Sequence, residues 1–185
     1  MASLATLKKF IGYRFSSGGV IGDDFKSFSA ELRKHINALC KEHNMEMVSF
    51  NRGHYECSGF VKVIDTDSYV YWSISDVRYW NDEWLNKVLY RTATGPKDYR
   101  GGQNMYCHLE QLGSSIVSLA RRTAKYDING KTFNDLQIRN IGNNIASLWG
   151  AQCYNYRIDR ANQKVVFECI EHGERFVTEQ AFNEF

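Results

Sequence analysis

Pro96 is the only proline in 185 residues, and neither Cys-x-x-Cys nor His-x-x-x-His occurs. The five cysteines, Cys40, Cys57, Cys107, Cys153 and Cys169, are odd in number and widely spaced. That pattern argues against a disulfide framework and a structural zinc site, and reads as small apolar residues in a reducing cytosol. No apolar run approaches the roughly 20 residues of a membrane span, and the opening MASLATLKKFIGYRF lacks the long apolar region of a secretory signal. A soluble intracellular protein is therefore expected. A large excess of either charge is also lacking. The net charge of +2 is too small for a protein that holds nucleic acid by bulk electrostatics. Residues 1–124 carry 16 Lys and Arg against 13 Asp and Glu, and residues 125–185 carry 7 against 8. An anionic ligand is expected on the first segment.

What the chain has in quantity is apolar residues, 43% of it, and aromatic residues, 14%, with eleven Tyr and four Trp. The apolar share is enough for a sizeable core. Asp23 and Asp24 read as helix caps. Phe25, Phe28, Leu32, Ile36 and Leu39 follow at helical spacing, and the helix should end by Asn44. EMVSFNR, YECSGFVKVI and YVYWSIS then alternate as strands, with Val70, Trp72 and Ile74 on one face and Tyr69 and Tyr71 on the other. A polar loop, YWNDEW, leads to a fourth strand at KVLYRTA. Met105, Leu109, Leu112, Ile116 and Leu119 predict a second helix opening near Asn104. AKYDINGK reads as a linker or turn. Beyond it come a third helix with Leu136, Ile141 and Ile145, two strands at QCYNYRI and KVVFECI, a short strand at RFVT and a brief helix from Thr178. The expected fold class is α+β. An antiparallel sheet of about four strands with two packed helices (1–124) precedes a small α-β-β(-β) unit (125–185). A unit that small is marginal alone, so it is expected to dock on the first or to form a homodimer.

Three groups of residues carry chemistry. In LYRTATGPKDYRGGQN, residues 89–104, the glycines precede the expected helix start, where free N–H groups and the helix dipole attract anions. Arg91 and Arg100, with Gly101, Gly102 and Asn104, make an anion or nucleic-acid site there, and Arg14 from the glycine-rich YRFSSGGVIGDDF adds a donor if that loop lies alongside. The plainer alternative is a turn with solvated charges. In NRGHYECSGF, Arg52, His54 and Glu56 alternate, so a continuous strand would put them on one face. Such a set could perform general acid–base work on a phosphodiester, the arginine stabilising the developing charge. A solvated sheet face and a strand break at Gly53 are the competing readings. Tyr55, Tyr69 and Tyr71 form an aromatic sheet face suited to a protein partner, to helix packing or to base stacking. No metal site and no cofactor are expected.

The segments KKFIGYRFSSG, NRGHYECSGF, YVYWSISDVRYW and LYRTATGPKDYRGGQN, which span roughly residues 8–120, resemble small proteins encoded on phages and mobile elements of Firmicutes. Some proteins of that setting are anti-CRISPR inhibitors of type II-A systems. The resemblance implies a protein of the bacterial host cytoplasm that binds an RNA-guided DNA nuclease, its guide RNA or its DNA target. It carries over no family active site. The alternatives are a metal-independent ribonuclease that trims guide RNA through His54 and Glu56, and a binder of a small anionic ligand at the Gly101–Gly102 loop.

Overall fold

Phe25, Phe28, Leu32, Ile36 and Leu39 all face the core of the first unit, none more than 8% exposed. They lie on the 20-residue helix α2 (Asp23–Glu42), which follows a short helix, α1 (Leu4–Lys8). The computed structural model describes residues 4–79 and 87–185, so the YWNDEW loop, apart from Tyr79, lies outside the described residues. The chain divides into two compact units, the first running to Ala120 and the second Arg121–Phe185. No helix among the described residues is long and apolar enough to cross a membrane.

The first unit is an antiparallel meander of five strands in the order β1-β2-β3-β4-β5. These are β1 (Met45–Arg52), β2 (Cys57–Val63), β3 (Ser68–Ile74), β4 (Val88–Ala93) and β5 (Met105–Cys107). Alternation sets the two faces. Register places Cys57 opposite Ile74, Gly59 opposite Trp72 and Val61 opposite Val70, and these residues line the core with α2. A further helix, α3 (Leu112–Thr123), adds Leu112, Ile116 and Leu119 to the same core. Burial of each Phe or Leu at this level contributes ~1.5–3 kcal/mol. No helix of this unit covers the opposite sheet face among the described residues.

Two local expectations change. The helix expected from Asn104 does not begin there. Met105 is in β5, paired with Tyr90, and α3 starts only after a 3-10 turn at Leu109–Gln111, where the Glu110 N–H donates to His108 Nδ1. Met105, Leu109 and Leu112 keep their inward positions, but the open edge of β4 claims Met105–Cys107 for its ladder, and tertiary pairing overrides local spacing. At the start of α2 the cap residue is Gly22. Asp24 instead accepts from Ser16 N (2.6 Å), Ser16 Oγ (2.9 Å) and Phe25 N (2.7 Å), which tethers the preceding loop and holds its carboxyl below the ordinary value.

The second unit opens with a hairpin, β6 (Lys125–Ile128) and β7 (Lys131–Asn134), where a linker or turn was expected. Asn129 and Gly130 both have positive φ (50° and 74°), as an Asn-Gly hairpin turn requires. Helix α4 (Asp135–Ser147) follows, its start closed by reciprocal bonds between Asn134 and Gln137. Three strands complete the unit in the order β10-β9-β8: β8 (Gln152–Asp159), β9 (Lys164–Glu171) and β10 (Glu174–Ala181). Thr178 lies within β10 rather than opening a helix, and only a 3-10 turn at Phe182–Glu184 follows. Tyr126, Ile128, Ile138, Tyr156 and Phe167 form its core. The Tyr156 hydroxyl donates to Asp135 Oδ1 at 2.6 Å, and its ring lies 4.9 Å from the Arg121 guanidinium carbon. Burial pushes that phenol well above its usual range.

Candidate functional site

The side chains on the helix-free face of the five-stranded sheet follow from register. Phe60, Tyr71 and Arg91 form one cross-strand row, Lys62, Tyr69 and Ala93 a second, and Ser58, Ser73, Leu89 and Tyr106 a third. Tyr69 and Tyr71 therefore do share an outward face. Tyr71 packs on Phe60 with ring centroids 5.2 Å apart, and the Arg91 guanidinium carbon lies 4.9 Å from its ring centroid. Tyr99, from the loop between β4 and β5, closes the group at 5.1 Å from Phe60 and 5.8 Å from Tyr71. Tyr99 is 52% exposed and Tyr106 60% exposed, so large amphipathic rings remain open to contact. Beside Tyr106, a depression of about 280 Å³ is lined by Ser73, Ser75, Lys87 and Leu89.

The loop that holds Tyr99 in place is the glycine-rich stretch expected to bind an anion. Three of its backbone N–H groups, those of Thr94, Arg100 and Gly101, are taken by its own carboxylate. Asp98 Oδ1 accepts from Arg100 N (3.0 Å) and Gly101 N (2.7 Å), and Oδ2 accepts from Thr94 N (2.9 Å) and Thr94 Oγ1 (3.1 Å). These backbone bonds lower the Asp98 pKa from 3.8 to about 2. Arg91 is committed as well, its Nη2 donating to the Tyr99 carbonyl oxygen. Gly102, at φ 73°, turns the chain toward β5, with Gln103 and the exposed Asn104 following it. Arg100 and Lys97 are the exposed cations of this loop.

Arg14 does not join Arg91 and Arg100. It lies between Tyr13 and Phe15, and Phe15 packs on Tyr55 at the β1–β2 turn. That turn adjoins the Cys57–Ile74 end of the sheet, whereas the 94–104 loop leaves the sheet at Ala93, opposite Tyr69, at the other end. The expected convergence of arginines at a helix start is corrected on both counts: no helix starts there, and the cations are divided between opposite sheet ends.

The Arg52, His54 and Glu56 set is not displayed on a strand. Arg52 ends β1, and residues 53–56 are the connection to β2, closed by a bond from Gly53 N to Glu56 O (2.9 Å). The Glu56 side chain folds over Gly53, while the His54 ring lies over Gly19 and against Tyr55 at 4.6 Å. Tyr55 is not part of the tyrosine face either. It is 3% exposed, at φ 59°, and belongs to the core. Its hydroxyl donates to the Ser16 carbonyl and accepts from Gly18 N (3.1 Å). The Arg78 guanidinium covers its ring at 4.5 Å and pairs with Asp76 (Nη2–Oδ2 2.5 Å), which lowers the Asp76 pKa. The glycine-rich 16–19 segment, the 53–56 turn and the Asp76–Arg78 turn thus meet in one polar junction that closes the end of the core.

No group of three or more His, Cys, Asp or Glu among the described residues could hold a metal ion. The five cysteines are free thiols, and burial raises Cys40 to about 11 and Cys57 to about 12, away from nucleophilic use. Compared with protein-family models, curated proteins and solved structures, the chain matches none.

Sequence reasoning missed Tyr99, Tyr106 and Asp98. Tyr106 was hidden by the helical spacing through Met105. Asp98 carried a signal: an Asp within a loop of Pro and Gly favours an Asx turn, its carboxylate accepting from the backbone N–H two residues on.

Proposed function

We propose that the protein is an interaction protein, an inhibitor of the anti-CRISPR type that binds a guide-loaded, RNA-guided DNA nuclease in the bacterial cytoplasm. One observation carries the binding surface: the helix-free sheet face presents Tyr69, Tyr71, Tyr99 and Tyr106 around Arg91. Tyr and Arg are the residues that dominate protein–protein contacts, since their rings bury large areas at little entropic cost. The Asp98-locked loop holds Tyr99 in place before binding, which lowers the ordering cost of association. Lys97 and Arg100 at the rim are free to meet guide phosphates or acidic side chains. The nuclease as partner rests on the resemblance of residues 8–120, and the docking face rests on the geometry.

Incubation with a type II-A guide-loaded nuclease, read on native and denaturing gels with a DNA-cleavage assay, tests this. A shifted complex, intact guide RNA and reduced cleavage are expected. The double variant Tyr69→Ala/Tyr106→Ala should lose the shift by at least an order of magnitude in affinity, as expected for hot-spot tyrosines. Full cleavage with no complex contradicts the proposal. Shortened guide RNA would favour catalysis instead, and His54→Ala would then abolish the trimming.

A further inference from the structure

β10 ends its sheet and pairs on one side only, with all eight residues from Glu174 to Ala181 in unbroken register against β9. The N–H and C=O groups on its other side have no strand partner among the described residues. Proteins usually blunt such an edge with a bulge, a proline, charged side chains or a covering element; of these, β10 carries the charges Glu174, Arg175 and Glu179. The opposite edge strand, β8, has a register shift between Cys153 and Asn155 and lies against α4. β10 has neither bulge nor proline, and Val177 at its centre is 61% exposed.

The side chains flanking Val177 are self-complementary. Arg175, Val177 and Glu179 share one face, and Arg175 and Glu179 stand equally far on either side of Val177. We propose that β10 pairs antiparallel with β10 of a second copy of this chain, about a two-fold axis through Val177. In that register Val177 meets Val177 of the second copy, and Arg175 meets Glu179 of the second copy twice over. On the other face Phe176 falls beside Thr178 of the second copy. Phe176 and Thr178, with Trp149 and Glu171, border a hollow of about 410 Å³ that the second copy's strand would cover. Trp149, 48% exposed, packs edge-on against Phe176 at 6.0 Å. Lys164 already holds the Glu179 carboxylate at 2.7 Å, and Glu179 remains 49% exposed for a second cation. An isologous two-fold contact of this kind uses one patch twice, the main chain supplying affinity and the charges fixing register. It is independent of the tyrosine face on the first unit.

Sedimentation equilibrium of the full chain and of two charge-reversed variants tests the pairing. The unmodified protein should reach twice the monomer mass. Arg175→Glu alone and Glu179→Arg alone each set like charges against each other at both contacts, and each should weaken dimerisation at least tenfold. Mixing the two variants restores opposite charges at both contacts, so the mixture should dimerise as a heterodimer. Far-UV circular dichroism checks that each variant is folded, and Val177→Lys supplies an independent disruption. A monomeric unmodified protein, single variants that dimerise as it does, or a mixture that stays monomeric overturns the proposal.

Discussion

At the scale of single residues, Asp98 decides what the 94–104 loop can do. Its carboxylate collects donors from Thr94, Arg100 and Gly101, so these three N–H groups already serve an internal anion. The folded pKa of about 2 lies below the ordinary 3.8, so the carboxylate favours the folded loop at every pH above 3.8. That contribution falls away as pH drops from 3.8 through about 2. Amide hydrogen exchange at Arg100 and Gly101, corrected for intrinsic pH dependence, should therefore show strong protection at neutral pH that is lost across that window. In Asp98→Ala the protection should be absent at all pH values. Tyr55 shows why single residues mislead. Alternation in NRGHYECSGF made it look like a neighbour of Tyr69, but Gly53 and the left-handed backbone at Tyr55 turn it into the core. Its hydroxyl bonds come from residues 16 and 18, far away in sequence, and no local pattern announces them.

At the scale of elements, strongly periodic segments were legible. The apolar stripe of α2 and the Val70, Trp72, Ile74 alternation of β3 lie where their spacing puts them, because burial of one face is what that spacing serves. Short elements were not. β5 has three residues and exists only because β4 offers an edge, and no three-residue window carries such a signal. The β6–β7 hairpin was half legible: the stretch read as a linker or turn, and Asn129-Gly130 is a strong hairpin signal that decides for the turn. The start of α4 yields a direct expectation. Asn134 and Gln137 satisfy each other's backbone N–H groups, so Asn134→Ala removes one acceptor and half of the reciprocal pair. The substitution should cost ~1 kcal/mol, read as a lowered urea midpoint at unchanged slope. Asn134→Ser should recover most of the loss.

At the scale of the whole molecule, the α+β architecture followed from the order of helical and alternating segments. The position of the candidate surface followed only in part. Tyr69 and Tyr71 were legible in the sequence as one face, but Tyr99 and Tyr106 reach it through a loop and a pairing that depend on the folded sheet. The charged loop and Arg14 were expected together and are separated by the length of the strands. The proposed interaction therefore comes down to one surface, with Tyr69, Tyr99 and Tyr106 facing the bound partner. Hydroxyl-radical footprinting, with and without the guide-loaded nuclease, reads that surface residue by residue. Oxidation of Tyr69, Tyr99 and Tyr106 should drop several-fold in the complex, while that of exposed residues of the second unit, such as Leu136, should stay unchanged. Equal oxidation of the three tyrosines in the free and bound protein would contradict it.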